Sequence, residues 1–250
     1  METRALVLST EMAVAAGTVG CFAVMRKMTL AADAFSHVAL PGIGLALVMR
    51  LNPLLGAVAA LMLGALIIWG VENRTGISTE TITGVVFSLA LAIGSMMASG
   101  EELIDALFGA PGALSNTEAT VGLVGGAAVI AFMLFARDRL LISMVSAEVA
   151  ATSGINVRRL NLAYLAAFAL TVALGLRYLG VLLMGSLIII PAATAKRIAR
   201  NINGMLAIAV GVSVASTLLG TLIAASIHRP TGPIIITIAG ALFFLSLAWR

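Results

Sequence analysis

The fold is decided by stretches such as MLAIAVGVSVASTLLGTLIAAS (residues 205–226), which runs through 22 positions without a charged side chain. A helix that crosses the hydrocarbon core of a membrane needs about 20 mostly apolar residues. This stretch has that length and that composition. The alternating ten-residue pattern of a membrane β-barrel does not occur along the chain, so the segment is predicted to be a membrane-spanning helix.

Eight further apolar segments lie on either side of this stretch. They cover residues 5–25, 30–49, 54–71, 81–98, 119–136, 160–176, 180–195 and 233–248. Only 10% of the residues are charged, against roughly 25% in a soluble domain. We therefore predict a single all-α domain over residues 1–250, a polytopic bundle of about eight or nine spans. The count is eight if the short segments 180–195 and 233–248 are half-spans.

Basic residues are distributed unequally between the two sides of these segments. With the N-terminus outside, the inner side receives eleven of them: Arg26, Lys27, Arg74, Arg137, Arg139, Arg158, Arg159, Lys196, Arg197, Arg200 and Arg250. The outer side receives the other four: Arg4, Arg50, Arg177 and Arg229. Because positive charges favour the cytoplasmic side, this bias places the loop 137–159 inside the cell. The basic residues lie at span ends, a membrane pattern that does not indicate nucleic-acid binding.

An ionisable pair lies within the second apolar segment. Asp33 and His37 are four residues apart, so on a helix they share one face with Cβ atoms about 5–6 Å apart. A carboxylate and an imidazole together suit Zn, Mn or Fe, and ionisable residues inside a span are functional candidates. We predict that the pair lines the path of a divalent metal substrate and that no cofactor is bound permanently. The alternative interpretation is a buried Asp33–His37 hydrogen bond that fixes helix packing.

Four other residues belong to this prediction. Proline at position 41 has no N–H to donate to the carbonyl of His37, so we expect Pro41 and Gly42 to kink the helix beside the pair. Ser36 is a further candidate for the path. Glu11, in the first segment, either lines the same path or reaches the lipid headgroups from the outer end of its helix.

No phosphate-binding loop occurs in the sequence. Lys27 and Lys196 are the only lysines, and neither follows a glycine, so the motif G-x-x-x-x-G-K-[ST] is absent. If transport is driven by ATP, the ATPase is therefore a separate chain.

Several blocks of the sequence resemble the permeases of the zinc/manganese/iron ABC importer family. The most specific are DAFSHVALPG (residues 33–42) and LIIIPAATA (residues 187–195). Shorter blocks are ISTET (77–81), GVVFS (84–88), LFG (107–109), GVLL (180–183) and Gly232-Pro233. The resemblance implies an importer permease in the plasma (inner) membrane of a prokaryote, present as a dimer. It also implies separate cytoplasmic ATPase subunits, an external metal-binding receptor protein, and a metal path along Asp33 and His37.

The resemblance further implies a cytoplasmic coupling helix at about residues 145–157. Its ATPase-coupling residues would be Ala147, Glu148, Ala150 and Gly154. The segment lies in the arginine-rich loop predicted to be inside, where an ATPase would reach it. The alternative interpretation is an ordinary interfacial connector between two spans.

Two other functions are compatible with parts of the sequence. A permease of the siderophore/cobalamin importer type would share the coupling segment, but its large organic cargo does not require an Asp–His pair in the membrane. An ion- or proton-coupled carrier could use Glu11 and Asp33 as its ionisable groups.

Overall fold

The computed structural model of the protein describes residues 3–97 and 116–248. Within these ranges it contains ten α-helices and no strand. Their bounds are α1 Thr3–Met25, α2 Thr29–Val48, α3 Pro53–Thr75, α4 Thr79–Met97, α5 Asn116–Val145, α6 Ala147–Thr152, α7 Val157–Leu179, α8 Val181–Ile198, α9 Ile202–Ile227 and α10 Thr231–Ala248. The LFG block of residues 107–109 lies outside the described residues.

Nine of the described helices are long, and eight of them have the length and hydropathy of a membrane span. The remaining long helix, α8, also runs from one end of the bundle to the other. Close to its start, Arg177 of α7 pairs with Glu118 in the first turn of α5 at 3.2 Å. At its other end, Arg197 donates to the carbonyls of Ser246 and Leu247 at the end of α10. The prediction of an all-α, multi-span bundle is confirmed.

Polar caps set where several helices begin. The side chain of Asn52 accepts a bond of 2.9 Å from the backbone N–H of Leu54 at the start of α3, whose first residue is Pro53. Asn156 and Asn201 cap α7 and α9 in the same way. These side chains satisfy backbone donors that have no partner within the helix, which is why the helices start at these positions.

Helix α1 lies at the centre and is the most buried of the eight spans. It packs on α5, α7, α8 and α9. Glycine allows the closest of these contacts, because a Cβ on Gly20 would lie 2.0 Å from the carbonyl oxygen of Ile188 in α8. Gly42 and Gly56 bring α2 and α3 together similarly, since a Cβ on either would lie within about 2.2 Å of the other's carbonyl oxygen.

The side-chain contacts agree with the predicted orientation. Residues assigned to the inner side meet partners at one end of the bundle, in the pairs Arg26–Asn161 and Arg137–Asn203. Residues assigned to the outer side meet at the other end, in the pairs Arg4–Asn116 and Arg177–Glu118. One end of the bundle therefore contains basic residues assigned to the inner side, and the other end contains basic residues assigned to the outer side.

Candidate functional site

Asp33 lies near the start of α2, with an exposed side chain. Its backbone rests against α8 at Gly185. A Cβ added to Gly185 would lie 3.1 Å from both the Cα and the Oδ1 of Asp33. Glycine at position 185 therefore lets α8 support the carboxylate without displacing it.

His37 lies one turn further along α2 and is partly buried. Its ring packs edge-on against Phe87 of α4, with ring centroids 5.6 Å apart and planes inclined by 62°. The Nδ1 atom is buried and has no hydrogen-bond partner within the described part of the chain. A buried polar atom without a partner is energetically costly, so this nitrogen is available to a ligand.

Asp33 and His37 do not bond to each other, and neither side chain makes a hydrogen bond or an ion pair within residues 3–97 and 116–248. No cluster of three or more His, Cys, Asp or Glu side chains occurs in residues 3–97 and 116–248. The pair is therefore an open arrangement of one oxygen donor group and one nitrogen donor. To hold a metal, the pair needs further ligands beyond these two side chains, for example water.

Pro41 and Gly42 lie within a continuous helix, because α2 runs from Thr29 to Val48. Pro41 contacts α4, where a Cβ on Gly94 would lie 3.4 Å from its ring Cδ. Gly42 forms the close backbone contact with Gly56 of α3. The two residues thus dock α2 on its two neighbours beside the pair.

Ser36 and Glu11 occupy other surroundings. Ser36 is fully buried, and its hydroxyl donates to the carbonyl of Ala32 at 3.2 Å within α2. Glu11 lies in the contact of α1 with α5, where a Cβ on Gly126 would be 2.9 Å from its Oε1. The Oε2 of Glu11 is buried and has no hydrogen-bond partner in the described ranges. The structure does not bring Glu11 to the Asp33–His37 pair.

The segment 145–157 contains a helix of only six residues, α6. The side chain of Ser146 caps it by accepting from the N–H of Val149 at 3.2 Å. Ala147 and Glu148 are exposed in its first turn, whereas Ala150 is fully buried. The segment therefore presents one face outward and fixes the other against the bundle.

A tight turn joins α6 to α7. Gly154 adopts a φ of 77°, in the left-handed region that favours glycine. The N–H of Ile155 donates to the carbonyl of Ala150 at 2.9 Å, which closes the turn. Asn156 follows at once as the cap of α7, so α6 is coupled closely to the first turn of a core helix.

Gly185 and Phe87 are neighbours of the pair that the sequence interpretation did not single out. Both lie next to or within blocks that carry the family resemblance, Phe87 inside GVVFS and Gly185 between GVLL and LIIIPAATA. Their closeness to these blocks is the only feature of the sequence that points to Gly185 and Phe87. Neither a glycine nor a phenylalanine in an apolar segment indicates a metal site by itself.

Comparison with known proteins identifies the family. The chain belongs to the ABC 3 transport family, which matches residues 1–250. The zinc/manganese/iron importer resemblance is thereby confirmed. The predicted multi-pass location in a prokaryotic inner membrane is confirmed as well, by bacterial relatives and by the eight apolar helices.

Relatives of similar length carry names that refer to metals. The chain is 31% identical to the high-affinity zinc uptake system membrane protein ZnuB of Haemophilus influenzae, covering 92% of this chain and 90% of that protein. It is 27% identical to the manganese transport system membrane protein MntC of Listeria innocua, covering 97% and 88%. A probable iron transport system membrane protein of H. influenzae is 28% identical, covering 98% and 92%.

A solved structure has the same fold. It is PsaBC from Streptococcus pneumoniae in complex with Fab, which aligns with a TM-score of 0.83 and 28% sequence identity. The alignment covers 98% of this chain and 90% of that chain. The likeness therefore extends over the whole bundle.

Proposed function

We propose that this chain is the membrane permease subunit of an ATP-driven ABC importer that moves divalent transition-metal ions, zinc, manganese or iron, into the cell. The relatives named for these three metals support this function. The observation that carries it is on α2, where an exposed carboxylate and an unpartnered imidazole nitrogen share one face of a membrane helix.

The donor chemistry suits transit better than storage. Asp33 supplies an anionic oxygen and His37 supplies a neutral nitrogen, and zinc, manganese and iron all accept such ligands. Two protein side chains leave most of the coordination shell to water or to a partner. An incomplete shell favours release, which a transporter requires after each binding event.

A second copy of the chain completes this arrangement. Ionisable side chains in a span face a bundle interior or a water-filled cavity, yet Asp33 is exposed on the single chain. Next to it, α4 exposes Gly84 and Ser88, four residues apart, and a Cβ on Gly84 would have no neighbour within 4 Å. In a dimer that covers this face, two Asp33–His37 pairs would share one path.

The two ends of the bundle support the presence of two further kinds of subunit. The sequence holds no phosphate loop, so hydrolysis belongs to ATPase subunits on the inner side. There α6 exposes Ala147 and Glu148, and Ala150 and Gly154 fix the position of this short helix. A metal-binding receptor protein would deliver the ion to the outer end, where Arg4 and Asn116 meet.

Reconstitution tests this function. The permease, its ATPase and its receptor are placed in proteoliposomes, and uptake of zinc, manganese and iron is measured in turn. We expect accumulation only with ATP, and we expect the purified permease alone neither to hydrolyse ATP nor to concentrate metal. Accumulation by the lone chain under an imposed proton or sodium gradient would contradict the proposal and favour an ion-coupled carrier.

A further inference from the structure

Four polar residues connect the inner ends of four helices. We call them the inner clasp: Arg26 after α1, Glu72 in α3, Thr79 in α4 and Asn161 in α7. Glu72 and Asn161 are partly buried. None of the four belongs to the candidate metal path, and none lies in α6.

Asn161 stands between two opposite charges. Its Nδ2 donates to the Oε2 of Glu72 at 2.8 Å, and its Oδ1 accepts from the Nη1 of Arg26. The cation on one side and the anion on the other fix the orientation of the amide. Burial lowers the pKa of the Arg26 guanidinium, and the nearby charge of Glu72 raises it, but an arginine remains protonated in either case.

Glu72 uses its second oxygen to hold another helix. Its Oε1 accepts from the hydroxyl of Thr79, the first residue of α4. The same carboxylate therefore joins α7 to α4, although these two helices make few or no direct contacts with each other. A carboxylate bonded on both oxygens resists separation of the two helices, because partial burial makes an unpaired charge costly.

On one side, the clasp leads to the segment that faces the ATPase. Asn161 lies in the second turn of α7, after the Asn156 cap and the Gly154 turn that follow α6. A second link ties the same end of α7 to α3, because Arg158 donates to the Oδ1 of Asn73 at 3.1 Å. The N–H of the Trp69 side chain also donates to the Arg158 carbonyl at 2.9 Å. These two contacts hold the start of α7 against α3 without involving Glu72, so a displacement of α6 reaches the Glu72 carboxylate through Asn161.

On the other side, the clasp leads to the metal path. Thr79 and Phe87 are eight residues apart on α4, a rise of about 12 Å along one helix. The ring of Phe87 packs edge-on against the ring of His37. A shift of the inner end of α4 would therefore move the aromatic group that covers the imidazole.

We propose that the inner clasp transmits movement of α6 to α4, so that ATP hydrolysis repositions Phe87 over His37. The inference rests on the proposed function, because it assumes that an ATPase acts on α6. It assigns positioning roles to Glu72 and Thr79, neither of which touches the cargo. Contiguous contacts through rigid helices supply the physical link, and the coupling itself is what an experiment must measure.

The test compares variants of the complete permease–ATPase–receptor complex in proteoliposomes. The readout is the number of metal ions imported for each ATP hydrolysed. Glu72→Ala removes both bonds of the carboxylate, and Thr79→Val removes only the link to α4. Glu72→Gln keeps a side chain that can bond to both neighbours. Asn73→Ala is the matched control, because it cuts the neighbouring α3–α7 link and leaves the bond to Thr79 intact.

We expect Glu72→Ala and Thr79→Val to lower the number of metal ions imported per ATP by at least about fivefold, while ATP hydrolysis continues. A fivefold change is about the lower end of the coupling typically found between two sites. Glu72→Gln should restore most of the ratio, and Asn73→Ala should leave it unchanged. If the Glu72→Ala permease fails to assemble with its partners, the import ratio of Thr79→Val alone decides whether the inner clasp transmits the movement. The proposed role of the inner clasp would be overturned by a wild-type import ratio in Thr79→Val, or by an equal loss of the import ratio in Asn73→Ala. A wild-type complex that imports no metal would instead contradict the proposed function itself.

Discussion

At the scale of single residues, Asp33 and His37 owe their setting to neighbours on two other helices. Gly185 of α8 supports the carboxylate, and Phe87 of α4 covers the imidazole. The surroundings of the proposed metal path are therefore set by the contacts of α2 with α4 and α8. Substitutions at those neighbours should affect transport although they remove no ligand.

Gly185→Ala is expected to impair uptake. The new methyl group would lie 3.1 Å from the Cα and Oδ1 of Asp33, so Asp33 or α8 would have to shift by a few tenths of an ångström. We predict about a tenfold loss in transport rate, equivalent to about 1.4 kcal/mol. The measurement is uptake at matched expression.

Gly211→Ala is the matched control for this change. It lies in α9, where a Cβ would have no neighbour within 4 Å, and alanine favours a helix interior by up to about 1 kcal/mol over glycine. Normal uptake in Gly185→Ala, or a similar loss in both variants, would show that the contact with Asp33 is unimportant.

The sequence could indicate the pair but not its surroundings. The four-residue spacing of Asp33 and His37 places them on one face of any helix, and a charge within an apolar segment marks the position. The approach of Gly185 and Phe87 depends on how α4 and α8 pack on α2, which local spacing does not encode. For the same reason, local spacing does not predict the contact of Gly42 with Gly56 of α3, and a kink of α2 at Pro41 and Gly42 stays a prediction.

At the scale of elements, the apolar segments predicted the helices within a few residues. The second segment, 30–49, corresponds to α2 at Thr29–Val48. The fifth differs most, because α5 continues from the predicted end at residue 136 to Val145. Arg137, Asp138 and Arg139 end the apolar run but do not end the helix, since charged residues continue a helix outside the lipid. Hydropathy therefore predicts which part of a helix lies in the membrane. Capping side chains such as Ser146 show where one helix ends and the next begins.

The turn after α6 offers a test of the coupling segment. Gly154 has a φ of 77°, so an alanine there costs about 1–2 kcal/mol in backbone strain and should displace α6. We predict that Gly154→Ala binds the ATPase roughly tenfold more weakly, as such an energy implies. Binding is measured by titrating the purified ATPase onto the permease in nanodiscs.

Gly70→Ala provides the matched comparison at the element scale. It lies inside α3, where a Cβ would have no neighbour within 4 Å, and its backbone is helical. It should bind the ATPase as the wild type does. Unchanged binding in Gly154→Ala would mean that the ATPase docks elsewhere on the inner face.

At the scale of the whole molecule, the exposed carboxylate of Asp33 supports the proposal that a second copy covers this face. A charge facing hydrocarbon would be costly, so the face of α2 and α4 beside it is better explained by a second copy than by lipid. The exposed Gly84 and Ser88 allow another helix to approach closely there. The outward face of α5 is different, since Phe135 is 88% exposed and suits contact with lipid.

Cysteine cross-linking separates these two surfaces. In a background with the buried Cys21 replaced by alanine, Ser88→Cys should cross-link two copies through a short thiol-specific reagent in native membranes. Phe135→Cys should not, because lipid surrounds it. Efficient linkage at position 135 without linkage at position 88 would place the dimer contact on another face.

The central claim is that Asp33 and His37 carry the metal. ATP-dependent uptake by the reconstituted complex tests it most directly, in Asp33→Asn and His37→Ala beside two matched controls. Asp138→Asn removes a carboxylate that pairs with Arg137 at the inner surface. His228→Asn removes the other histidine of the chain at the end of α9, where φ is 51° and asparagine is tolerated.

We predict that both α2 variants assemble with their ATPase and lose metal uptake, while both controls transport at the wild-type rate. Uptake at the wild-type rate in both Asp33→Asn and His37→Ala would contradict the assignment of the metal path to α2.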